Sequence, residues 1–104
     1  MPLADGENGR FEWDPRKDAW NRRKHGLSFA QARDLLASGD DHLEIFDERH
    51  SIEEDRFISI GPNRDGIIVV AWTERRENLV RIISARWATR REQALYVKYM
   101  ERNR

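Results

Sequence analysis

The 104-residue sequence contains no cysteine, which excludes disulfide bridges, thiolate metal sites and cysteine nucleophiles. Its six glycines are scattered and form no phosphate-binding loop, so we expect no nucleotide cofactor. No apolar run approaches the ~20 residues of a membrane span. The stretch from Met1 to Arg10 also lacks the apolar core of a signal peptide. These absences predict a cytoplasmic protein that has no membrane contact and needs no cofactor.

The three histidines, His25, His42 and His50, do not follow the spacing of a metal site. No two of them lie four residues apart, as they would on one face of a helix, so we expect no bound metal. A serine hydrolase is disfavoured as well, because the sequence has no Gly-x-Ser-x-Gly turn. Any chemistry must therefore come from arginine, lysine, histidine, carboxylates or hydroxyl groups.

Charge is separated along a chain whose formal net charge is zero. Residues 40–55 hold eight acidic residues and one arginine, whereas residues 75–104 hold nine basic and three acidic residues. Arginine supplies 16 of the 19 basic residues, and its planar guanidinium pairs with phosphate through two hydrogen bonds. The basic C-terminal third suits a polyanionic partner such as RNA, and a solvated charged surface is the alternative.

Local patterns predict one α+β domain with the element order βααββββα. Asp14-Pro15 is typical of a helix start and Gly26 of a helix end, and Ser28 and Thr89 each begin a capping box. The predicted elements are a strand at 10–13, helices at 15–25 and 28–38, strands at 42–46, 56–60, 67–72 and 79–85, and a helix from 89. Short consecutive strands indicate a small antiparallel sheet of about four or five strands. Residues 1–9 are predicted to be a flexible leader.

The last two strands form a predicted hairpin whose register decides where its arginines point. A four-residue loop at 75–78 would place Trp72 opposite Arg81, on the face that carries Glu74, with Arg86 on the other face. Trp72 would then stack a base, Arg81 would hold a phosphate and Glu74 would move a proton. The alternative interpretation is a cation–π and salt-bridge pair on an exposed sheet face.

The first predicted helix has few apolar residues. Lys17, Trp20, Asn21 and Lys24 share one of its faces. From sequence alone this face either covers a sheet edge or binds RNA. His25 lies at the helix end, where a positive charge is favoured by the helix dipole.

An ordered series of motifs resembles the BrnT family over residues 10–96. The motifs are Phe11-Glu12-Trp13-Asp14-Pro15, Asn21, Lys24-His25-Gly26-Leu27-Ser28-Phe29, Asp47, His50, Glu54-Asp55-Arg56-Phe57, Thr73-Glu74-Arg75, Arg81-Ile82-Ile83-Ser84-Ala85-Arg86, Ala88-Thr89-Arg90-Arg91-Glu92 and Tyr96. The order of the motifs is more specific than any one of them. Trp20 and Trp87 depart from the family pattern, which has smaller and basic residues at these positions, respectively.

The resemblance implies a RelE-like fold, with two N-terminal helices, one C-terminal helix and a single toxin domain over 10–104. It implies the toxin of a type II toxin–antitoxin system, an endoribonuclease that cleaves RNA, with mRNA as the expected substrate, and so blocks translation and growth. The resemblance also implies cleavage without a metal, with the RNA 2′-hydroxyl as the nucleophile and arginines stabilising the charged phosphorane. The implied partner is a BrnA-like antitoxin, through which the toxin would reach operator DNA indirectly. The alternative is a toxin-derived module that binds RNA or antitoxin without catalysis.

The resemblance also implies a set of site residues. The expected catalytic residues are Glu74, Arg75, Arg81 and Arg86, with His50, Lys24 and His25 as secondary candidates. Arginines would hold the phosphate, Glu74 or His50 would act as the base, and Lys24 or His25 would protonate the leaving group. The residues expected to bind RNA are Trp72, Arg90 and Arg91.

Overall fold

The structure is a computed structural model of the chain, and it describes residues 3–6, 9–38, 42–76 and 78–103. The elements are β1 (Leu3–Gly6), β2 (Gly9–Glu12), α1 (Pro15–His25), α2 (Phe29–Ala37), β3 (Leu43–Phe46), a short 3-10 helix (Glu48–His50), β4 (Arg56–Asn63), β5 (Gly66–Arg76), β6 (Leu79–Trp87) and α3 (Arg90–Arg102). The described strands form one sheet in the order β1-β2-β6-β5-β4-β3. The α+β class and the predicted order of elements from β2 to α3 are confirmed.

Two features of the sheet differ from the sequence prediction. First, Leu3–Gly6 forms β1, an antiparallel partner of β2, within the stretch predicted to be a flexible leader. Backbone hydrogen bonds hold such a strand without requiring an apolar pattern. The pattern of apolar residues in the sequence therefore could not indicate β1. The rest of the leader, residues 1, 2, 7 and 8, lies outside the described residues. Second, β2 runs parallel to β6, so the sheet is mixed rather than purely antiparallel.

The helix ends form as the sequence predicts. The Asp14 carboxylate accepts a hydrogen bond from the Arg16 backbone nitrogen and caps α1, which lowers the pKa of Asp14. Gly26 ends α1 with a φ of 71°, in the left-handed region that favours glycine. Ser28 and Thr89 both make complete capping boxes, at α2 and α3. These local signals determine where α1 begins after β2 and where α3 begins after β6.

Two apolar clusters lie on opposite sides of the sheet. On the side we call the α1/α2 face, the buried core residues are Phe11, Trp13, Leu27, Phe29, Ala32, Leu35, Ile68, Val70, Ile82 and Ala85. On the other side, the α3 face, the buried cluster is smaller and contains Ile60, Val69 and Ala88. Tyr96 of α3 packs against this smaller cluster, whereas Leu95 stays 44% exposed. Helix α3 therefore packs against only one end of its face.

A buried asparagine attaches α1 to the edge of the sheet. Asn21 is 2% exposed, and its amide donates to the backbone carbonyls of Leu27 (2.9 Å) and Ala85 (2.8 Å). Its side-chain oxygen accepts from the Ala85 backbone nitrogen at 3.3 Å. Strand β2 pairs with β6 only over Leu79 to Arg81, so Asn21 supplies to Ala85 the hydrogen bonds that a neighbouring strand would make. Asn21 thus ties α1 to a sheet edge, whereas Lys17, Trp20 and Lys24 of the same predicted face stay exposed.

The predicted register of the β5–β6 hairpin is wrong. Trp72 lies opposite Ile82, and Arg81 lies opposite Thr73. The hairpin closes between Arg76 and Leu79, and the register shifts at two irregular positions, between Ala71 and Trp72 and between Glu74 and Arg76. These β-bulges insert extra residues that change which side chains share a face, and a loop length read from the sequence does not reveal them.

Candidate active site

The α3 face carries a cross-strand row of polar residues, beyond the end that α3 covers. Arg56 of β4 pairs with Thr73 of β5, Thr73 pairs with Arg81 of β6, and Arg81 pairs with Glu12 of β2. Residues directly opposite one another on adjacent strands point to the same side of a sheet. Two arginines and one carboxylate therefore converge here from three different strands.

Ion pairs connect this row to the hairpin end. Arg81 Nη1 lies 3.1 Å from Glu12 Oε1, and both side chains are less than one fifth exposed. Arg75 lies 3.9 Å from Glu12 and 3.7 Å from Glu54, and Glu54 lies 3.9 Å from Arg56. We call Glu12, Glu54, Arg56, Arg75 and Arg81 the arginine cluster. Its three guanidinium groups share two carboxylates, an excess of one positive charge within the cluster.

His50 lies beside the arginine cluster. A hollow of about 310 Å³ is lined by His50, Glu54 and Arg56, together with neighbouring residues of the same loop. His50 Nδ1 donates to Asp47 Oδ2 across 2.8 Å, which orients the imidazole and leaves Nε2 as the nitrogen that can take a proton. The loop that holds this histidine is tied to β4, because the Asp47 nitrogen donates to the Arg56 carbonyl.

Arg86 lies on the α3 face further along β6. It is opposite Val69, and its guanidinium makes two hydrogen bonds to Glu92 of α3, at 2.7 and 2.8 Å. The contact with Glu92 raises the pKa of Arg86, and Arg86 lowers the pKa of Glu92 to about 2. Glu92 also accepts the Thr89 backbone nitrogen of its capping box, so one carboxylate both holds Arg86 and begins α3.

We expect the Glu92 carboxylate to contribute stability near neutral pH that is lost in acid. Its folded pKa of about 2 lies below the ordinary value of 4.5, so the unfolded chain binds its proton first as the pH falls. The stabilisation is complete above pH 4.5 and is lost as the pH falls towards 2. Glu92→Gln should therefore lower the melting temperature at pH 6 and reduce the loss of stability between pH 4.5 and 2. Thermal unfolding at a series of pH values measures both effects.

Glu101→Gln is the matched control for this prediction. Glu101 is an exposed residue of the same helix, and no ion pair is found for it among the described residues. This variant should follow the parent protein at every pH. An unchanged acid profile for Glu92→Gln would contradict the stabilising role of the Arg86–Glu92 contact.

Three predicted catalytic residues lie away from the arginine cluster. Glu74 is exposed and pairs with Val80, whose side chain packs on the α1/α2 face. Lys24 Nζ lies over the Trp20 ring, 4.6 Å from its centroid, on α1. The backbone carbonyl of His25 accepts the indole N–H of Trp87 at 2.9 Å. The structure therefore brings Arg75, Arg81, Arg86 and His50 to the α3 side of the sheet, and places Glu74, Lys24 and His25 elsewhere.

The predicted RNA-binding residues are also separated. The Trp72 ring stacks on Phe57, with a centroid distance of 4.7 Å, and its indole nitrogen donates to the Ser59 hydroxyl. It packs against the core of the α1/α2 face. Arg90 and Arg91 are exposed in the first turn of α3, next to Glu92. One face of the Trp72 ring is thus already occupied, whereas Arg90 and Arg91 remain accessible.

Sequence patterns do not single out Glu12, Glu54, Arg56 or Glu92 as site residues. Each lies within a motif of the family resemblance, and that is the signal that could have identified them. Glu12 and Arg81 are 69 residues apart and meet only because β2 is parallel to β6. The capping box of α3 already explains Glu92 in the sequence, so the sequence gives no reason to predict its contact with Arg86.

Within the described ranges, no group of three or more histidine, aspartate or glutamate side chains is arranged to hold a metal ion. No helix in the same part of the chain is long and apolar enough to cross a membrane.

Comparisons with known proteins identify the family of this chain. A family model described as the ribonuclease toxin BrnT of type II toxin–antitoxin systems matches residues 13–92. The structure is similar to the crystal structure of the Brucella abortus ribonuclease toxin BrnT, with a TM-score of 0.58 and 26% identity. The alignment covers 77% of this chain and 96% of the Brucella chain. No curated protein sequence matches. Since the family model spans most of the sequence, the chain belongs to the BrnT family of ribonuclease toxins of type II toxin–antitoxin systems.

Proposed function

We propose that this protein is a metal-independent endoribonuclease that cleaves RNA, with mRNA as its substrate in the cell, and thereby inhibits translation. The observation that carries the proposal is the convergence of Arg56, Arg75 and Arg81 beside an Asp47–His50 pair on the α3 face of the sheet. Guanidinium groups bind phosphate through paired hydrogen bonds, and a histidine oriented by a carboxylate can act as a general base.

In the proposed reaction the RNA itself supplies the nucleophile. His50 Nε2 takes the proton of a 2′-hydroxyl, the 2′ oxygen bonds to the adjacent phosphorus, and the bond from phosphorus to the 5′ oxygen breaks. The leaving 5′ oxygen takes a proton from water. The arginines stabilise the additional negative charge on the phosphorane, and the products are a 2′,3′-cyclic phosphate and a 5′-hydroxyl.

The arginines are paired with carboxylates when no RNA is bound. Arg81 contacts Glu12, Arg75 contacts Glu12 and Glu54, and Arg86 contacts Glu92. A phosphate entering the site would therefore exchange with a carboxylate at each guanidinium. The pairing with carboxylates keeps the arginines oriented before substrate arrives, which limits the reorganisation that the reaction requires.

The same pairing favours a second candidate function. A site whose guanidiniums are already held by carboxylates also suits a toxin-derived module that binds RNA or antitoxin without cleaving.

We propose that in either case the partner is a BrnA-like antitoxin, which closes the cationic region from Arg75 to Arg91 and contacts operator DNA itself. We place both proteins in the cytoplasm.

RNA cleavage in EDTA tests the proposed activity. Purified protein is incubated with an RNA oligonucleotide and with its fully 2′-O-methylated version, and the product ends are identified. We expect cleavage of the RNA only, with 2′,3′-cyclic phosphate ends, because methylation removes the nucleophile. A parallel reaction in a translating extract tests for a ribosome requirement. If a folded protein cleaves RNA in neither reaction, the enzyme proposal fails and the binding module remains.

A further inference from the structure

Helix α1 leaves a large aromatic side chain in solvent. Trp20 is 53% exposed, and its polar neighbours on the helix give it no apolar cover. Below it lies a groove of about 530 Å³ between α1 and β6, with Trp20, Phe29 and Ile83 among its lining residues. We call this space the α1/β6 groove. Its lining combines a buried core residue, Phe29, with two partly accessible apolar side chains.

The groove lies where the edge of the sheet is incomplete. Strand β2 pairs with β6 as far as Arg81, and Asn21 satisfies the backbone of Ala85. Between these two points Ile83 has a register partner in neither β2 nor β5, as far as the described strands extend. An interrupted strand edge beside an apolar groove is a place where an extended peptide can add hydrogen bonds and insert side chains.

The rim of the groove is cationic. Arg16 and Lys17 line it, and Lys24 lies over the outer face of Trp20. Asp14 also lines the groove, but its carboxylate already accepts the Arg16 backbone nitrogen at 2.8 Å and lies 3.8 Å from the Arg16 guanidinium. The positive charges at the rim thus outnumber the negative one, and a complementary partner carries acidic residues.

We propose that the α1/β6 groove docks an acidic segment of the antitoxin, which places an apolar side chain between Trp20 and Ile83 and carboxylates beside Arg16 and Lys17. The proposal rests on the membership of this chain in a toxin–antitoxin family, which implies a protein partner. The apolar lining and the strand edge favour a peptide over RNA, because exposed aromatic and apolar anchors dominate protein interfaces. The groove shares no lining residue with the arginine cluster, so the antitoxin would hold the toxin at a second place, away from the catalytic surface.

Calorimetric titration of the purified toxin with its cognate antitoxin tests the proposal. Trp20→Ala removes the apolar anchor and should weaken binding by at least about 30-fold, the usual effect of an interface hot spot. Lys17→Glu reverses one rim charge and should weaken binding by roughly tenfold, with a smaller effect at high salt. Neither residue belongs to the proposed catalytic surface, so both variants should cleave RNA at the parental rate.

Matched control variants come from the exposed side of α3. Val97 is 52% exposed, close to the value for Trp20, and Lys98 is an exposed lysine. Val97→Ala and Lys98→Glu should bind the antitoxin within about threefold of the parent, a change that corresponds to less than ~1 kcal/mol. Far-ultraviolet circular dichroism establishes that all four variants are folded.

The outcomes separate this proposal from the proposed activity. Parental antitoxin affinity for both Trp20→Ala and Lys17→Glu would overturn the docking site. A loss of RNA affinity with unchanged antitoxin affinity would also overturn it, and would identify the groove as an RNA surface. A toxin that never cleaves RNA, but whose antitoxin binding depends on Trp20 and Lys17, would contradict the activity and leave the docking site standing.

Discussion

Arg81→Ala is expected to slow RNA cleavage by about 10²–10³-fold, the usual effect of removing one preorganised charged donor. Arg81 lies in the cross-strand row between Thr73 and Glu12, and its guanidinium is held by Glu12 at 3.1 Å. The substitution leaves Glu12 within 3.9 Å of Arg75, so the carboxylate keeps a cationic neighbour and the fold should persist. Initial rates on a fluorescent RNA, with circular dichroism of each variant, measure the effect.

Arg64→Ala provides the control for Arg81→Ala. Arg64 has an 88% exposed side chain in the turn between β4 and β5, away from the arginine cluster, and its replacement should leave the rate unchanged. Arg86→Ala should also slow cleavage, and expression of either arginine variant should no longer arrest growth. A folded Arg81→Ala, Arg86→Ala double variant that remained fully toxic would remove both residues from the site.

Asn21→Ala is expected to destabilise the fold by about 3 kcal/mol, because it leaves buried backbone groups without hydrogen-bond partners. The lost partners are the carbonyls of Leu27 and Ala85 and the nitrogen of Ala85. For a domain of this size the melting temperature should fall by roughly 15 °C. Asn21→Asp should also be strongly destabilising, since a carboxylate cannot donate to the two carbonyls. Urea unfolding gives the change in the free energy of unfolding.

Asn103→Ala is the matched control for the asparagine prediction. Asn103 is exposed at the end of α3, where its amide donates to the Tyr99 carbonyl at 2.8 Å. Its replacement should change the free energy of unfolding by less than about 0.5 kcal/mol, as for most surface substitutions. A similarly small change for Asn21→Ala would show that α1 is held to β6 by other contacts.

Most of the local structure could be predicted from the sequence, because its signals depend on neighbouring residues. A capping side chain reaches only two or three residues along the chain, so Asp14, Ser28 and Thr89 specify helix starts on their own. The strand order along the chain follows from alternating patterns in the same way. The strand β1 is the exception. It is defined by its pairing with β2, and its residues show no apolar alternation that would predict a strand.

The candidate site could be predicted only in part. The basic C-terminal third and the family motifs indicate Arg75, Arg81, Arg86 and His50, and the structure places all four on the α3 side of the sheet. Glu74 matches the motifs equally well, yet it lies on the opposite side, across from Val80. A motif records which residues occur together in the sequence, whereas the face that each occupies depends on strand register.

The sequence by itself determined the α+β class, the helix boundaries, the absence of cysteine chemistry and the concentration of arginine near the C-terminus. Only the tertiary structure decided which arginines lie on the same face of the sheet. Arg81 and Arg86 are five residues apart, and a regular strand would point them to opposite faces. The bulge at Ile83 inserts one residue and places both on the α3 face, opposite Thr73 and Val69. The parallel pairing of β2 with β6 then brings Glu12 to Arg81, because a hydrogen-bonded register joins residues that no local pattern connects.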